Sequence, residues 1–452
     1  MMYNKKPKMK YCIMAIIIVL CFCLSACQPT PEKEVIVGKN DATQYTPAKN
    51  DAQGESQTSQ ANFVPIEAPE HITEEAVEFT NISVAMDADV VVPDATAYPI
   101  TEVTKKIFSD EYVLQKIKEL SGNDVLYKEW TLNKDELLQK LTQAKQNINI
   151  DGVTQESIDV LQKQYENAPA TVTNPAFNIS DYEIGEYYNC FAKTKEGKVA
   201  YFMVEKGGNN FSYNKNQDEI VIPMSISEEG GWEHPKVPNT SEEDAYKIAI
   251  ECMNYMGADL KLFSTELCSI TENGINKSTG FMFAFTREIS GMQSNIDLSS
   301  FYMNPNSMHS VGAPWEPEIF KTLVDENGIH SIMWNGASEI GTTVANTVQL
   351  ESFDMIKQRT MDQLKFNYAT EMSEYLKIDF LITKFDLGLS MIAVSDRSDA
   401  GNYIPTWCVT FENKDETGHT YIKQIMFNAI DGSYVEPRIT NKKLMEAMLK
   451  FD

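Results

Sequence analysis

The sequence is poor in histidine and carries none of the common catalytic motifs. Its 452 residues include only five histidines, and no two of them stand at the spacing of a helical metal site. It lacks the H-E-x-x-H of zinc peptidases, the G-x-S-x-G of serine hydrolases and a Gly-rich phosphate loop. We therefore expect no metal, no cofactor and no enzymatic activity.

Basic residues are scarce relative to acidic ones. Lysine and arginine number 39 against 65 aspartates and glutamates, which gives a formal net charge of −26. Nucleic-acid binding draws most of its affinity from basic side chains on phosphates. The charge balance therefore argues against a nucleic-acid partner.

No stretch after residue 27 has the ~20 apolar residues of a transmembrane helix, but residues 11–23 form a shorter apolar run. Four lysines and no acidic residue precede that run. Its length is too short to cross ~30 Å of hydrocarbon and is typical of a signal peptide. We expect residues 1–26 to be a cleaved signal peptide.

Leu24, Ser25 and Ala26 stand immediately before Cys27. These four residues resemble the lipobox of bacterial lipoproteins, which implies cleavage before Cys27 and lipid attachment to its sulfur. The lipid on Cys27 would hold the protein to the membrane, on the extracytoplasmic face of the cell membrane. The alternative is an ordinary cleaved signal in which Cys27 is incidental.

Residues 27–76 are expected to form the lipidated cysteine and a disordered tether, because polar residues, Pro and Gly dominate its first part. The segments CQPTPE (27–32) and DADVVVPD (87–94) resemble an uncharacterised family of lipoproteins from Gram-positive, clostridial-type anaerobes. The resemblance covers essentially all of the chain after the signal peptide. It implies a location and no chemistry.

Beyond the tether, the pattern predicts an α+β fold with helices packed on antiparallel sheets. We expect an N-terminal α+β domain at 77–235, a middle helix-plus-sheet module at 236–345 and a C-terminal helix-plus-sheet module at 346–452. The predicted helices begin at capping residues, namely Ser109, Asn133 with Glu136, Thr154, Ser241 and Ser352. The last two modules share one order of elements, which indicates a divergent duplication.

The C-terminal module carries a second, weaker likeness. The segments YIPTW (403–407) and NAIDGS (428–433) are similar to the end of PepSY-type modules, in which one helix packs across an antiparallel sheet. PepSY-like modules are associated with binding and with regulation at cell envelopes. The likeness therefore implies an interaction role.

Four cysteines remain after residue 27, and they lie in apolar segments without C-x-x-C spacing: Cys190, Cys252, Cys268 and Cys408. This pattern predicts small buried side chains rather than a zinc site. The sequence leaves open whether Cys252 and Cys268 form a disulfide.

Some polar residues have both a chemical and a structural interpretation. The aspartates of segment 87–94 are too few for Ca²⁺, so we expect a solvated sheet edge there. His330 is expected to pack on a solvated hairpin strand. Glu316 or Glu318 would need a second acid nearby to act in a glycosidase.

Residues 290–317 lack clear periodicity over a stretch longer than most loops. They include thioether and aromatic side chains that suit a binding surface, namely Phe301, Tyr302, Met303, Met308 and Trp315. The alternative is that this loop folds back and completes the core.

The predicted function is that of a non-enzymatic interaction or regulatory module at the cell envelope, whose partner is an envelope protein or a small ligand. One alternative is a lipoprotein that binds a solute, peptide or glycan. The other is a carboxylate-dependent cell-wall hydrolase.

Overall fold

The structure is a computed structural model that describes residues 63–146, 148, 153–223, 237–272, 275–295, 315–369, 377–393, 399–414 and 420–435. Its strands are β1 (His71–Glu78), β2 (Ile82–Val91), β3 (Ile100–Lys105), β4 (Tyr187–Lys193), β5 (Val199–Glu205), β6 (Phe211–Asn214), β7 (Glu219–Pro223), β8 (Lys261–Glu272), β9 (Ile275–Thr286), β10 (Glu288–Ile289), β11 (Met292–Gln293), β12 (Ile319–Asp325), β13 (Gly328–Asn335), β14 (Ser338–Ala345), β15 (Ile378–Ala393), β16 (Ala400–Lys414) and β17 (Thr420–Asn428). Its α-helices are α1 (Asp110–Ser121), α2 (Lys134–Gln146), α3 (Gln155–Asn167), α4 (Glu242–Met256) and α5 (Phe353–Tyr368).

Sheet A joins strands from both ends of the described chain. Its order is β1-β2-β15-β16-β3-β14, and β17 also pairs with β16. Strand β16 pairs with β15 along one edge, and along the other it pairs with β3 and then with β17. Neighbouring strands are antiparallel except β2 and β15, which run parallel.

Sheet B is antiparallel throughout, in the order β4-β5-β6-β13-β12-β9-β8-β7. The β12-β13 hairpin ends at the pair Asp325 and Gly328. Its two-residue turn is therefore Glu326-Asn327, one residue earlier than the Asn-Gly pair that marks it in the sequence. Gly328 has a φ of +91°, a conformation that glycine adopts without strain.

Each sheet carries one long helix. The hydroxyl of Ser241 caps α4 by accepting from the N–H of Asp244, and Gly257 ends the helix with a φ of +75°. Helix α4 packs on sheet B through Ala245, Ala249, Cys252, Met253 and Met256. Ser352 caps α5, which packs on sheet A through Phe353, Ile356, Thr360 and Leu364.

The three remaining helices also begin where the sequence predicts. Ser109 caps α1, whose Val113 and Ile117 join the core of sheet B. Asn133 and Glu136 exchange side-chain to backbone hydrogen bonds of 2.9 and 3.0 Å at the start of α2. Within the described residues, no helix has both the length and the hydropathy of a membrane span.

The prediction of an α+β fold with helices on antiparallel sheets is confirmed, but strand pairing crosses the boundaries of the three predicted regions. Strands β1 to β3 lie in sheet A beside β15 to β17, whereas β4 to β7 lie in sheet B beside β8, β9, β12 and β13. Alternation along a strand indicates which side chains point inward, but it does not identify the neighbouring strand.

Strand β15 is continuous where the sequence suggests two strands, at 378–385 and 389–395. Its Gly388 lies under the β10-β11 hairpin, since a Cβ there would be 2.6 Å from the carbonyl oxygen of Gln293. The glycine thus permits a close approach between sheet A and this hairpin rather than a break in the strand. Strands β1 and β14 expose most of their residues, so they lack the alternation by which strands are predicted.

Candidate functional site

Most of the residues predicted from the sequence as sites lie outside the described residues. These are the lipobox residues Leu24, Ser25, Ala26 and Cys27 and four residues of the predicted binding loop, Phe301, Tyr302, Met303 and Met308. Trp315 is described and is 8% exposed. It packs in the core of sheet A, and its Nε1 donates to the Ser338 hydroxyl at 3.1 Å. Its indole therefore completes the core, as in the alternative interpretation of the loop.

Glu318 forms a buried ion pair at the base of the β12-β13 hairpin. The Nε and Nη2 atoms of Arg287 donate to Glu318 Oε2 at 2.9 and 2.7 Å. Glu318 Oε1 accepts from the indole of Trp334 and from the backbone N–H of Ser338. Burial raises the pKa of Glu318, and Arg287 opposes that rise. Both oxygens of the Glu318 carboxylate thus accept hydrogen bonds from buried groups, whereas Glu316 is exposed.

His330 is buried, so the prediction of a solvated histidine is wrong. It is 2% exposed and lies between two carboxylates, with 3.5 Å from Nε2 to Glu219 and 3.8 Å from Nδ1 to Asp325. Lys198 lies 2.8 Å from the other oxygen of Glu219. Across the described ranges, no three His, Cys, Asp or Glu side chains converge as metal ligands. We call His330, Glu219, Asp325 and Lys198 the His330 cluster.

A sequence signal for the burial of His330 does exist. His330 is in phase with Ile332 and Trp334, which are the inward residues of β13. Glu219 comes from β7, which follows β6 after a short loop, and β6 pairs with β13. The two-residue period of β13 thus indicates that His330 points inward. The position of Glu219 beside His330 depends on strand pairing, which the period does not indicate.

The aspartates of segment 87–94 include a pair that brackets an exposed histidine. His71 on β1 lies opposite Asp89 on β2, and its two ring nitrogens are each 2.9 Å from a carboxylate, of Asp89 and Asp87. These hydrogen bonds raise the pKa of His71, with Asp89 the larger cause. The two aspartates are exposed, as predicted, but they lie on β2, which pairs with β1 and β15, so the prediction of a sheet edge at these residues is wrong. The edge strand is β1, which carries His71.

All four described cysteines are buried thiols that form no disulfide. Cys252 belongs to the core between α4 and sheet B, whereas Cys268 belongs to a separate cluster with Ile270 and Leu323. Burial raises the pKa of both thiols to about 12. The pair left open by the sequence is therefore not bridged in this structure.

A concave surface lies between segment 64–69 and the loop that leads into α5. Its cavity has a volume of about 860 Å³ and is lined by Val64, Pro65, Ile66, Glu67, Pro69, Val348, Gln349, Leu350, Glu351, Ser352, Phe353 and Asp354. We call it the Tyr98 groove, because Tyr98 holds both of its walls. Its volume falls in the range of ligand sites, ~300–1,000 Å³.

The floor of the Tyr98 groove is continuous with the core of sheet A. Phe353 is 4% exposed, and Ile66, Val348 and Leu350 pack against that core. The N–H of Ile66 donates to the Tyr98 hydroxyl at 2.9 Å, and the N–H of Val348 donates to the Tyr98 carbonyl at 2.9 Å. Both walls are thus fixed to one buried residue.

The rim of the Tyr98 groove is acidic. It carries the carboxylates of Glu67, Glu351 and Asp354. Asp354 lies 3.9 Å from Lys357. Among the described residues, this is the ion pair that involves one of the three rim carboxylates. An apolar floor with acidic edges matches a partner with apolar side chains flanked by cations. The sequence did not predict this groove, because its walls are some 280 positions apart in the chain.

A smaller groove of about 370 Å³ lies beside the first turn of α4, lined by Glu242, Glu243, Tyr246, Leu262, Thr265 and Phe283. The rings of Tyr246 and Phe283 lie 5.7 Å apart at its base. It shares the acidic and apolar character of the Tyr98 groove on a smaller area. It therefore provides a matched control surface.

No protein-family model matches the chain, and no curated protein matches it either. Among solved structures, the chain is similar to an uncharacterized protein from Eubacterium rectale ATCC 33656, a clostridial-type anaerobe, whose crystal structure was determined at 1.45 Å resolution. The two are 13% identical with a TM-score of 0.43, over 81% of this chain and 93% of the other.

Proposed function

We propose that the protein is a lipid-anchored, extracytoplasmic interaction module whose Tyr98 groove binds a basic amphipathic segment of an envelope protein. The observation that carries this proposal is the groove itself, an open concave surface with an apolar floor and three rim carboxylates. The finer assignments from the sequence, to a clostridial-type lipoprotein family and a PepSY-like module, belong to the same proposal. They support the envelope location and the interaction role.

The charge balance of the groove favours a cationic partner. The N-terminus of α5 contributes about half a positive charge at Ser352. The carboxylates of Glu67, Glu351 and Asp354 outweigh it. The formal charge of −26 adds a long-range attraction for basic partners, which is expected to speed association at low salt.

The position of the groove suits a tethered protein. The predicted tether of residues 27–76 is too long, because residues 63–76 belong to the described fold and β1 begins within them. One wall of the groove begins at Val64, in this described part. A flexible coil of the ~35 residues between Cys27 and Phe63 would have a reach of roughly 30–35 Å. A partner in the groove would therefore be held near the membrane to which Cys27 attaches the chain.

Calorimetric titration of the purified chain with a synthetic Lys/Leu amphipathic peptide tests the binding function. Glu67→Lys with Glu351→Lys should weaken binding about 5- to 30-fold, because each exposed contact is worth up to ~1 kcal/mol and is replaced by repulsion. Glu242→Lys with Glu243→Lys makes the same change of charge at the smaller groove and should have little effect. An equal loss in both pairs would contradict a specific site.

Lipid attachment is tested separately in the native host. Radiolabelled palmitate should enter the protein and follow it into the membrane fraction. The Cys27→Ser variant should carry no label. Full-length, unlabelled protein in the cytosol would contradict the proposed location.

A further inference from the structure

We infer that residues 436–452 of the same chain occupy the Tyr98 groove and act as a built-in competitor for its partner. Because the segment would act on the groove described above, the inference rests on the proposed function. It identifies the chemistry of the ligand and adds regulation of its access.

The described chain reaches the groove just before this segment starts. Val435 packs in a cluster with Val348, which lines the groove. The N–H of Glu351 donates to the carbonyl of Ala429 at 2.8 Å. A Cβ on Gly432 would lie 3.0 Å from Met355 Sδ, so the turn at 429–435 rests on the first turns of α5. Val435, where the described part of the chain ends, therefore lies beside the groove.

The sequence of the segment has the chemistry that the groove requires. It reads EPRITNKKLMEAMLKFD and carries apolar side chains at the spacing of one helical face, namely Leu444, Met445, Met448, Leu449 and Phe451. Its basic residues are Arg438, Lys442, Lys443 and Lys450, and its acidic residues are Glu436, Glu446 and Asp452. The positive charge is concentrated in residues 437–445, which hold three of the basic residues and no acidic one.

The match is one of both shape and charge. The apolar face would cover Phe353, Ile66 and Leu350 on the floor, and the lysines would meet the rim acids Glu67 and Glu351. Attachment at Val435 makes the contact intramolecular. A short covalent connection gives an effective concentration in the millimolar range, so even weak complementarity fills the groove.

If residues 436–452 occupy the groove, they compete with an outside partner for it. A partner can bind only the fraction of molecules whose groove is open, and its apparent affinity falls by that fraction. If nine tenths of the grooves are occupied, an outside peptide binds about tenfold more weakly than to an open groove. Envelope partners with a stronger basic amphipathic segment would displace residues 436–452.

Cysteine cross-linking in the full chain, purified in detergent, tests the placement. Val64→Cys with Met448→Cys should form a disulfide under mild oxidation, because that bond requires Cα atoms roughly 4.4–6.8 Å apart. Ile220→Cys with Met448→Cys is the control, since Val64 and Ile220 are 71% and 64% exposed and Ile220 lies on β7 of sheet B. The native thiols are buried and should not compete. Equal cross-linking of both pairs would overturn the inference.

Binding of the Lys/Leu peptide separates this inference from the proposed function. Lys442→Glu with Lys443→Glu in the full chain should raise the affinity for the peptide by about tenfold. The affinity for the peptide could stay unchanged in this variant while Glu67→Lys with Glu351→Lys still weakens binding. That result would overturn the inference and leave the proposed function of the groove intact. Absence of binding to every variant would overturn both.

Discussion

The hydroxyl of Tyr98 accepts a 2.9 Å hydrogen bond from the backbone N–H of Ile66. Residues 63–69 belong to no strand or helix, so this bond and the edge-on contact of Phe63 with the Tyr98 ring, at 4.9 Å, fix their position. The carbonyl of Tyr98 fixes the opposite wall through Val348. One residue that is 1% exposed therefore determines the width of the groove.

Replacement Tyr98→Phe should loosen one wall and leave the other in place. The lost hydrogen bond should lower the free energy of unfolding by about 1 kcal/mol in urea titrations. Hydrogen exchange should become faster at the amide of Ile66 and stay unchanged at Val348, whose bond goes to the backbone of Tyr98. Unchanged exchange at Ile66 would show that the hydroxyl does not hold this wall.

The His71 set predicts a measurable titration on the edge of sheet A. Hydrogen bonds to Asp89, and then to Asp87, raise the pKa of His71. A raised folded-state pKa gives stability that is present below the ordinary value of about 6.5 and is lost as pH rises through the folded value. Proton NMR of the imidazole should show a lower pKa in Asp89→Asn, and a smaller decrease in Asp87→Asn. Equal titration in all three proteins would contradict the geometry.

The His330 cluster predicts acid sensitivity of the β12-β13 hairpin. Burial disfavours ionisation of Asp325, but the interaction with His330 and the hydrogen bond from the N–H of Asn327 outweigh it, so the pKa of Asp325 lies below the ordinary value. A lowered pKa gives stability that is present above about pH 4 and is lost as pH falls through the folded value. Urea midpoints should therefore fall below pH 4 in the native protein. The fall should be shallower in Asp325→Asn, and an identical slope would contradict this account.

The buried cysteines predict a simple thiol count. A chain of residues 28–452 carries only Cys190, Cys252, Cys268 and Cys408, and none of the four forms a disulfide. Because burial raises the pKa of the first three to about 12, almost no thiolate forms near neutral pH. Ellman's reagent should react slowly with the folded chain and with four thiols after denaturation. Two thiols after denaturation would indicate a bridge.

The features that the sequence predicts well are those that depend on neighbouring residues. Ser241 and Gly257 mark both ends of α4, because a cap is a contact between residues three or four positions apart. The parallel pairing of β2 with β15 joins residues such as Ile82 and Ile378, which share no local pattern. Strand partners are set by the packing of the whole chain, and the predicted regions therefore did not coincide with the sheets.

The candidate site shows the same division. The walls of the Tyr98 groove come together only because Tyr98 and Val348 meet beside sheet A. The sequence around Trp315 is typical of an irregular surface loop, yet the indole of Trp315 packs in the core of sheet A. The composition of the loop thus indicated a contact surface, whereas the burial of Trp315 depends on the fold.

Removing one charge of the Arg287–Glu318 pair should lower the free energy of unfolding more than removing both charges. Glu318→Gln leaves the Arg287 guanidinium buried without a counter-charge, which should lower the free energy of unfolding by about 3–5 kcal/mol. Arg287→Met leaves Glu318 charged in the interior, and its pKa, already raised by burial, should rise further. Since the folded state then binds a proton that the unfolded state lacks, Arg287→Met should gain stability as pH falls towards about 5.

A double-mutant cycle measures the coupling between the two charges. Arg287→Met with Glu318→Gln removes both charges and keeps a side-chain acceptor for the indole of Trp334. Its loss of stability should be smaller than the sum of the two single losses by several kcal/mol, because neither charge is left alone. Additive losses would show that Arg287 and Glu318 are solvated independently, and a pH-independent Arg287→Met would contradict the burial of Glu318.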